Sequence, residues 1–308
     1  MCSITIQFTK LWRELSKAQS IIIPMQKQKT VLITGGNDGI GKATANELAQ
    51  RGFQVLLACR NETKGRLAAE DIRRQTGNER VTFLPCDLAS FESIRDAARL
   101  FQAQNSQLDV LINNAGVYTS QLAQTEDGIE MQFGVNHLGH FLLTHLLLGP
   151  LRQAPEPRVI NVSSVAYLRG RIDFNNLRGE KGPGQYDGLQ AYARSKLANV
   201  LFTRELARRY PEIHSFALHP GAVRTQIGNK HSKWYTSLFW HLLKVLMVTP
   251  DKGAGTSVYL ATSPEVKDAS GLFFDDKQRR RELSEAGRSD ALARQLWEVC
   301  ERMVNINS

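Results

Sequence analysis

Cysteine is scarce and scattered in this chain. Cys2, Cys59, Cys86 and Cys300 form no Cys-x-x-Cys pair and have no histidine at metal-ligand spacing, so the sequence carries neither a disulfide framework nor a zinc signature. A reducing, cytoplasmic compartment is the expectation. Long apolar runs are also missing. Ile21-Ile22-Ile23-Pro24 falls far short of the roughly 20 residues that a membrane span needs, and the N-terminus lacks a signal-peptide layout, so no transmembrane span is expected. Clustered charge is the third absence. The net charge is +9, yet bases and acids interleave, as in Arg204, Glu205, Arg208 and Arg209, which excludes the concentrated footprint of a nucleic-acid binder. The densest run, Lys277 to Arg281, has no aromatic interleaving and is expected to be a solvated loop.

What is present is enough for a large folded unit, since 308 residues with 42% apolar composition can bury a substantial core. Short aliphatic runs at 30–34, 54–59, 80–84, 108–112, 157–163, 213–219 and 270–274 alternate with longer amphipathic segments. Val55-Leu56-Leu57-Ala58 and Val110-Leu111-Ile112 are continuously apolar, which is what strands buried on both faces require. The expectation is therefore a single doubly wound α/β domain of Rossmann type over residues 29–303, with a mostly parallel sheet of about seven strands. Residues 1–28 form an N-terminal extension. In it Leu11, Trp12, Leu15 and Ala18 have helical spacing, predicting a short amphipathic helix packed on the domain, with peripheral membrane contact as the alternative. A second apolar segment, around residues 228–249 with Trp234, Leu238, Leu242 and Val245 on one face, follows the sixth strand and is expected to be a substrate lid.

The first strand runs into Thr34-Gly35-Gly36-Asn37-Asp38-Gly39-Ile40-Gly41 and then a helix expected to begin near Ile40. Glycines let the backbone turn tightly against a pyrophosphate, which the helix N-terminus stabilises. Gly35, Asn37, Gly39, Ile40 and Gly41 are the candidate cofactor contacts. At the tip of the second strand, where an NAD site carries a carboxylate, stands Arg60. A guanidinium there pairs with a 2′-phosphate, which favours NADP(H).

Tyr192 and Lys196 are i and i+4 in Ala191-Tyr192-Ala193-Arg194-Ser195-Lys196-Leu197, a segment free of helix breakers, so they share one helical face. An ammonium beside a phenol is expected to lower its pKa and make the tyrosine a general acid/base. With seven tyrosines in the chain such a pair arises readily by chance, so its neighbours matter. Ser164 follows the fifth strand after Val159-Ile160-Asn161-Val162, where a hydroxyl can hold a substrate oxygen. Asn136 interrupts an otherwise apolar helix, and a buried amide there needs partners, such as a water relaying protons to Lys196. His137, His140 and His145 share that segment without a carboxylate or thiol at ligand spacing, so no metal is expected.

These motifs in order, with Cys86-Asp87-Leu88, Asn113-Asn114-Ala115-Gly116 and Pro220-Gly221 followed by Thr225, resemble the short-chain dehydrogenase/reductase superfamily over roughly residues 29–300. Ala58-Cys59-Arg60-Asn61, Asn136-His137-Leu138-Gly139-His140-Phe141 and Ser195-Lys196-Leu197-Ala198-Asn199 are similar to its retinol dehydrogenase-like branch. The resemblance implies that Asp87, with Leu88, meets the adenine and that Asn114 and Gly116 line the cofactor cleft. It also implies that Val223 and Thr225 contact the nicotinamide end, that Lys196 bonds the nicotinamide ribose as well as tuning Tyr192, and that Tyr192 and Lys196 both belong to the cofactor site. An NADP(H)-dependent oxidoreductase acting on an apolar carbonyl or alcohol is the activity implied, and a homo-oligomer the expected assembly. Two features depart from the branch: no membrane anchor is read in residues 1–28, and Gly182-Pro183-Gly184 looks inserted beside the substrate mouth. A non-catalytic NADP(H)-binding regulatory or scaffold protein is the alternative, but such a protein is expected to have lost Ser, Tyr or Lys. A sugar-nucleotide epimerase would need different glycine spacing and a larger C-terminal substrate domain.

Overall fold

The computed structural model describes residues 28–221 and 249–306. The amphipathic segment at 11–18, Val223, Thr225 and nearly all of the segment expected as a lid lie outside the described residues.

Eight strands form one sheet in the order β3-β2-β1-β4-β5-β6-β7-β8. They are β1 (Thr30–Thr34), β2 (Gln54–Cys59), β3 (Val81–Pro85), β4 (Val110–Asn113), β5 (Arg158–Val162), β6 (His214–Leu218), β7 (Phe273–Phe274) and β8 (Arg280–Arg281). All neighbours pair in parallel except β7 with β8. The expected seven strands are thus joined by an eighth from the basic run taken for a loop. Gln278 at φ 62 turns the chain back, and Arg280 and Arg281 pair with β7 while staying exposed.

The apolar strands serve two cores because side chains alternate across a sheet. Val31 and Ile33 of β1 face one core with Val110 and Ile112 of β4, while Leu32 and Leu111 face the other. The first core is covered by α1 (Gly39–Gln50), α2 (Glu62–Thr76) and α6 (Pro250–Thr262), through residues such as Leu48, Ile72 and Leu260. The second is covered by α3 (Phe91–Gln104), α4 (Gly139–Leu146), α5 (Gly188–Arg209) and α7 (Asp290–Met303), through Phe101, Leu142, Leu197 and Trp297.

Strand order reverses about β1, which has β2 on one side and β4 on the other, and ligands of open parallel sheets bind beyond the carboxyl ends at that point. The segments after β1, β2, β3, β4 and β5 carry the motifs singled out above. No helix among the described residues is long and apolar enough to cross a membrane.

Candidate functional site

The glycine turn is built by backbone demands that only glycine meets. Gly35 has φ 65, in the left-handed region that glycine adopts without steric cost. Gly41, at the start of α1, packs so closely that an added Cβ would stand 2.3 Å from the Gly35 carbonyl and 2.6 Å from Asn114 Nδ2. Asp38 caps α1 by accepting from the Gly39 N–H at 2.7 Å, leaving that helix end at the mouth of the crevice with Asn37 half-buried before it and Ile40 buried. The helix begins one residue earlier than expected, at Gly39.

Asn114 ties this turn to the loop after β4. Its Nδ2 donates to the Thr34 carbonyl at 2.8 Å, and its backbone N–H, like that of Ala115, donates to Thr34 Oγ1, at 2.9 and 3.0 Å. Arg60 emerges after β2, exposed, with Nε 3.7 Å from Asp87 Oδ2, while Glu62 pairs with Arg66 at 2.8 Å. Asp87 also accepts from the Ala89 N–H, and Leu88 is buried beside it.

Asn136 sits in a π-helical turn, Gly134–Leu138, inside the apolar helical segment expected from the sequence. Such turns accommodate an extra residue and redirect side chains, often at functional sites. The fully buried Asn136 amide brackets Val117, accepting from its N–H at 2.7 Å and donating to its carbonyl at 3.0 Å, and donates to Ser195 Oγ at 3.0 Å. Protein groups thus bond both the oxygen and the nitrogen of this side chain. Across the cleft, a Cβ on Gly116 would lie 3.5 Å from Asn136 Oδ1 and 3.6 Å from Lys196 Nζ.

Asp187 caps α5 through the Leu189 and Gln190 N–H groups, and one turn of that helix brings Lys196 Nζ to 5.6 Å from the Tyr192 ring centroid. Lys196 is 3% exposed and donates to the Val162 carbonyl at 3.0 Å. Burial lowers its ammonium to about 8. Tyr192 departs from the sequence expectation. Burial holds its phenol above the ordinary value, and the Ser164 hydroxyl pulls the other way as a hydrogen-bond partner. The desolvation of an anion outweighs the neighbour effects here. Ser164 also caps the turn after β5 through the Ala166 N–H. Tyr118 packs edge-on against Tyr192 at 6.1 Å.

Several site residues were not singled out by sequence reasoning. Thr34 is the acceptor for the loop after β4, and His140 bonds both Thr34 and Asn136. Glu130 and Arg194 form a buried pair behind Tyr192. Arg194 had a readable signal, a charge on the buried face of α5, and Thr34 opens the glycine motif, whereas Glu130 had none. Among the described residues no group of three or more His, Cys, Asp or Glu is placed to hold a metal. His137 instead bonds Asn199 Oδ1 at 3.1 Å and Cys300 Sγ at 3.4 Å.

Known proteins resemble this chain in sequence and in fold. The family described as short chain dehydrogenase matches residues 29–236. Retinol dehydrogenase 11 of Mus musculus is 46% identical over 275 residues, covering 88% of this chain and 84% of its own. Retinol dehydrogenase 13 of Homo sapiens is 44% identical over 290 residues, covering 91% and 86%. Among solved structures, an uncharacterized protein from Mycobacterium Paratuberculosis superposes with a TM-score of 0.71 at 35% identity, covering 90% of this chain and 94% of that one. A short chain dehydrogenase from Escherichia coli CFT073, complexed with NADPH, gives 0.66 at 24% identity, covering 81% and 96%, and shares the fold.

Proposed function

The chain belongs to the short-chain dehydrogenase family, and from that premise we propose that it is an NADP(H)-dependent oxidoreductase interconverting a carbonyl and an alcohol on an apolar small molecule. The observation that carries the reading is the convergence of Ser164, Tyr192, Lys196 and Asn136 beyond the carboxyl edge of the sheet, beside the glycine turn.

The residues fit the cofactor. The turn leaves no space for a Cβ at Gly41, which packs against the Gly35 carbonyl and Asn114, the close turn-to-helix packing that a dinucleotide-binding turn uses. Arg60 is exposed and held only loosely by Asp87, so its guanidinium is free to meet a 2′-phosphate. The family likeness assigns the adenine to Asp87, the cleft wall to Asn114 and Gly116, and the nicotinamide end to Val223 and Thr225. When bound, NADP(H) supplies or accepts the hydride.

The chain's own groups handle the proton. Ser164 Oγ orients the substrate oxygen, and Tyr192 Oη gives it a proton in reduction or removes one in oxidation. Lys196 remains largely protonated at neutral pH, because burial lowers it only to about 8. That charge stands one helical turn from the phenol, 5.6 Å from its ring centroid, while burial keeps Tyr192 above its ordinary value and so protonated as a donor. Val165, Leu168 and Leu189 are exposed apolar side chains next to Ser164 and upstream of Tyr192, a surface suited to an apolar substrate. The three described cysteines are free and buried, in keeping with a reducing, cytoplasmic setting.

The test follows NADPH absorbance with retinal, aromatic aldehydes, quinones and steroid ketones. Turnover of an apolar carbonyl, reduced at least about 100-fold in Tyr192→Phe, is the expected result. Equal rates in the two proteins overturn the assignment.

A further inference from the structure

His140 is 2% exposed and stands between the strand that begins the cofactor turn and the π-helical turn. Its Nδ1 lies 3.0 Å from the Asn136 carbonyl oxygen. A carbonyl only accepts, so Nδ1 carries the proton. Its Nε2 lies 2.8 Å from Thr34 Oγ1. Burial and the charge of Lys196, with a smaller contribution from His137, push the imidazole down to about 3. The ring is therefore neutral, Nε2 is bare, and the Thr34 hydroxyl donates to it.

That donation orients the hydroxyl. It has one proton, so the Ile112 carbonyl at 3.4 Å is left out, and its lone pairs turn to the Asn114 and Ala115 N–H groups. Every donor then meets an acceptor in one direction, from the loop after β4 through Thr34 to Nε2, and from Nδ1 to Asn136. Asn136 in turn grips Val117 at the far end of the same loop. Residues 114–117 are thus held at one end by Thr34 and at the other by Asn136, with His140 joining the two holds.

We propose that His140 is a positioning residue which, as the Nδ1–H tautomer, couples the cofactor loop to Asn136 in the proton-transfer site. This rests on the reading of Asn114 and Gly116 as cofactor residues and of Tyr192 and Lys196 as the acid/base pair. The alternative tautomer would set the Nδ1 lone pair against the Asn136 carbonyl and aim Nε2–H at a Thr34 oxygen whose two lone pairs already accept from the Asn114 and Ala115 N–H groups, weakening both links.

The full chain, labelled with ¹⁵N in histidine, reads the tautomer directly without cofactor or turnover. A protonated Nδ1 and a bare Nε2 on His140 are expected, and the opposite tautomer or an imidazolium overturns the proposal. Two variants separate the links. His140→Asn places an amide near Nδ1 and keeps the Asn136 bond, so NADPH binding should weaken about tenfold, the effect of one lost buried hydrogen bond, with the kcat pH profile unmoved. His140→Gln places its amide near Nε2 and keeps the Thr34 bond, so NADPH affinity should hold while kcat falls and its pH profile shifts. Identical changes in both variants, or none in either, also overturn it. Should these variants not fold, Thr34→Ser is expected to keep the wild-type Nε2 resonance and Thr34→Val to move it; no difference between the two counts against the relay. A wild-type chain that has the expected tautomer but binds no NADPH would instead refute the cofactor reading.

Discussion

Arg194 Nη2 donates to Glu130 Oε2 at 3.1 Å, in an ion pair whose side chains are 7% and 0% exposed. Arg194 lies two residues after Tyr192 on α5. Glu130 also accepts from the Gln132 and Phe133 N–H groups and from the Tyr186 hydroxyl. The pair therefore fastens the helix of Tyr192 and Lys196 to the turn that leads into Asn136. Tyr186 enters this network two residues after the Gly182-Pro183-Gly184 stretch, so the inserted-looking segment ends in a half-buried anchor.

Breaking that pair on one side strands a charge away from water. Arg194→Met is expected to destabilise the fold by about 3–5 kcal/mol, measured by urea unfolding. The double variant Arg194→Met with Glu130→Gln should recover much of the loss, because no unpaired carboxylate remains. Equal losses in single and double variants would mean that the charge pairing is not the source.

Gly41→Ala forces a Cβ to within 2.3 Å of the Gly35 carbonyl, so the turn has to open. NADPH binding, followed by titration calorimetry, should weaken at least about tenfold, equal to roughly 1.4 kcal/mol of lost complementarity. Gly149→Ala is the control. Its Cβ meets nothing within 4 Å, and the helical alanine should leave binding unchanged while adding up to about 1 kcal/mol of stability.

Arg60 is the test of cofactor choice. Removing a charge-assisted bond to a phosphate costs about 1.5–3 kcal/mol, so Arg60→Ala should raise the KM for NADPH roughly 10- to 100-fold and leave that for NADH nearly constant. Arg60→Asp should reverse the preference. An unaltered NADPH to NADH ratio removes Arg60 from the site.

Acid should unfold this protein early. Burial lowers His137 to about 4 and His140 to about 3, against an unfolded value near 6.5. Between those limits the unfolded chain binds protons that the fold refuses, so stability is full above about pH 6.5 and falls as pH drops, by up to about 1.4 kcal/mol per pH unit for each histidine. Urea midpoints measured at about pH 7 and about pH 5 should show the decline, and His137→Gln should flatten it. A midpoint that rises on acidification contradicts the assignment.

Much of this molecule was legible along the chain because its signals are local. Continuous apolar runs announced buried parallel strands, glycine spacing announced the turn, and a four-residue interval placed Tyr192 beside Lys196. β8 was hidden, since a two-residue edge strand of arginines has no apolar pattern and exists only through its pairing with Phe273 and Phe274. The π-helical turn was hidden too, because Asn136 looks like an intrusion in a periodic helix until Val117 and Ser195 close around it.

The sequence by itself determined the α/β architecture, the glycine turn and the placing of Tyr192 and Lys196 on one helical face, since each follows from neighbours within a few residues. Only the tertiary structure decided the electrostatic state of those side chains. The sign of the Tyr192 shift depends on how much water the packing removes, and the proton position on His140 depends on Thr34, 106 residues away. Desolvation and hydrogen-bond direction are properties of what is brought together in space, and spacing along the chain does not contain them.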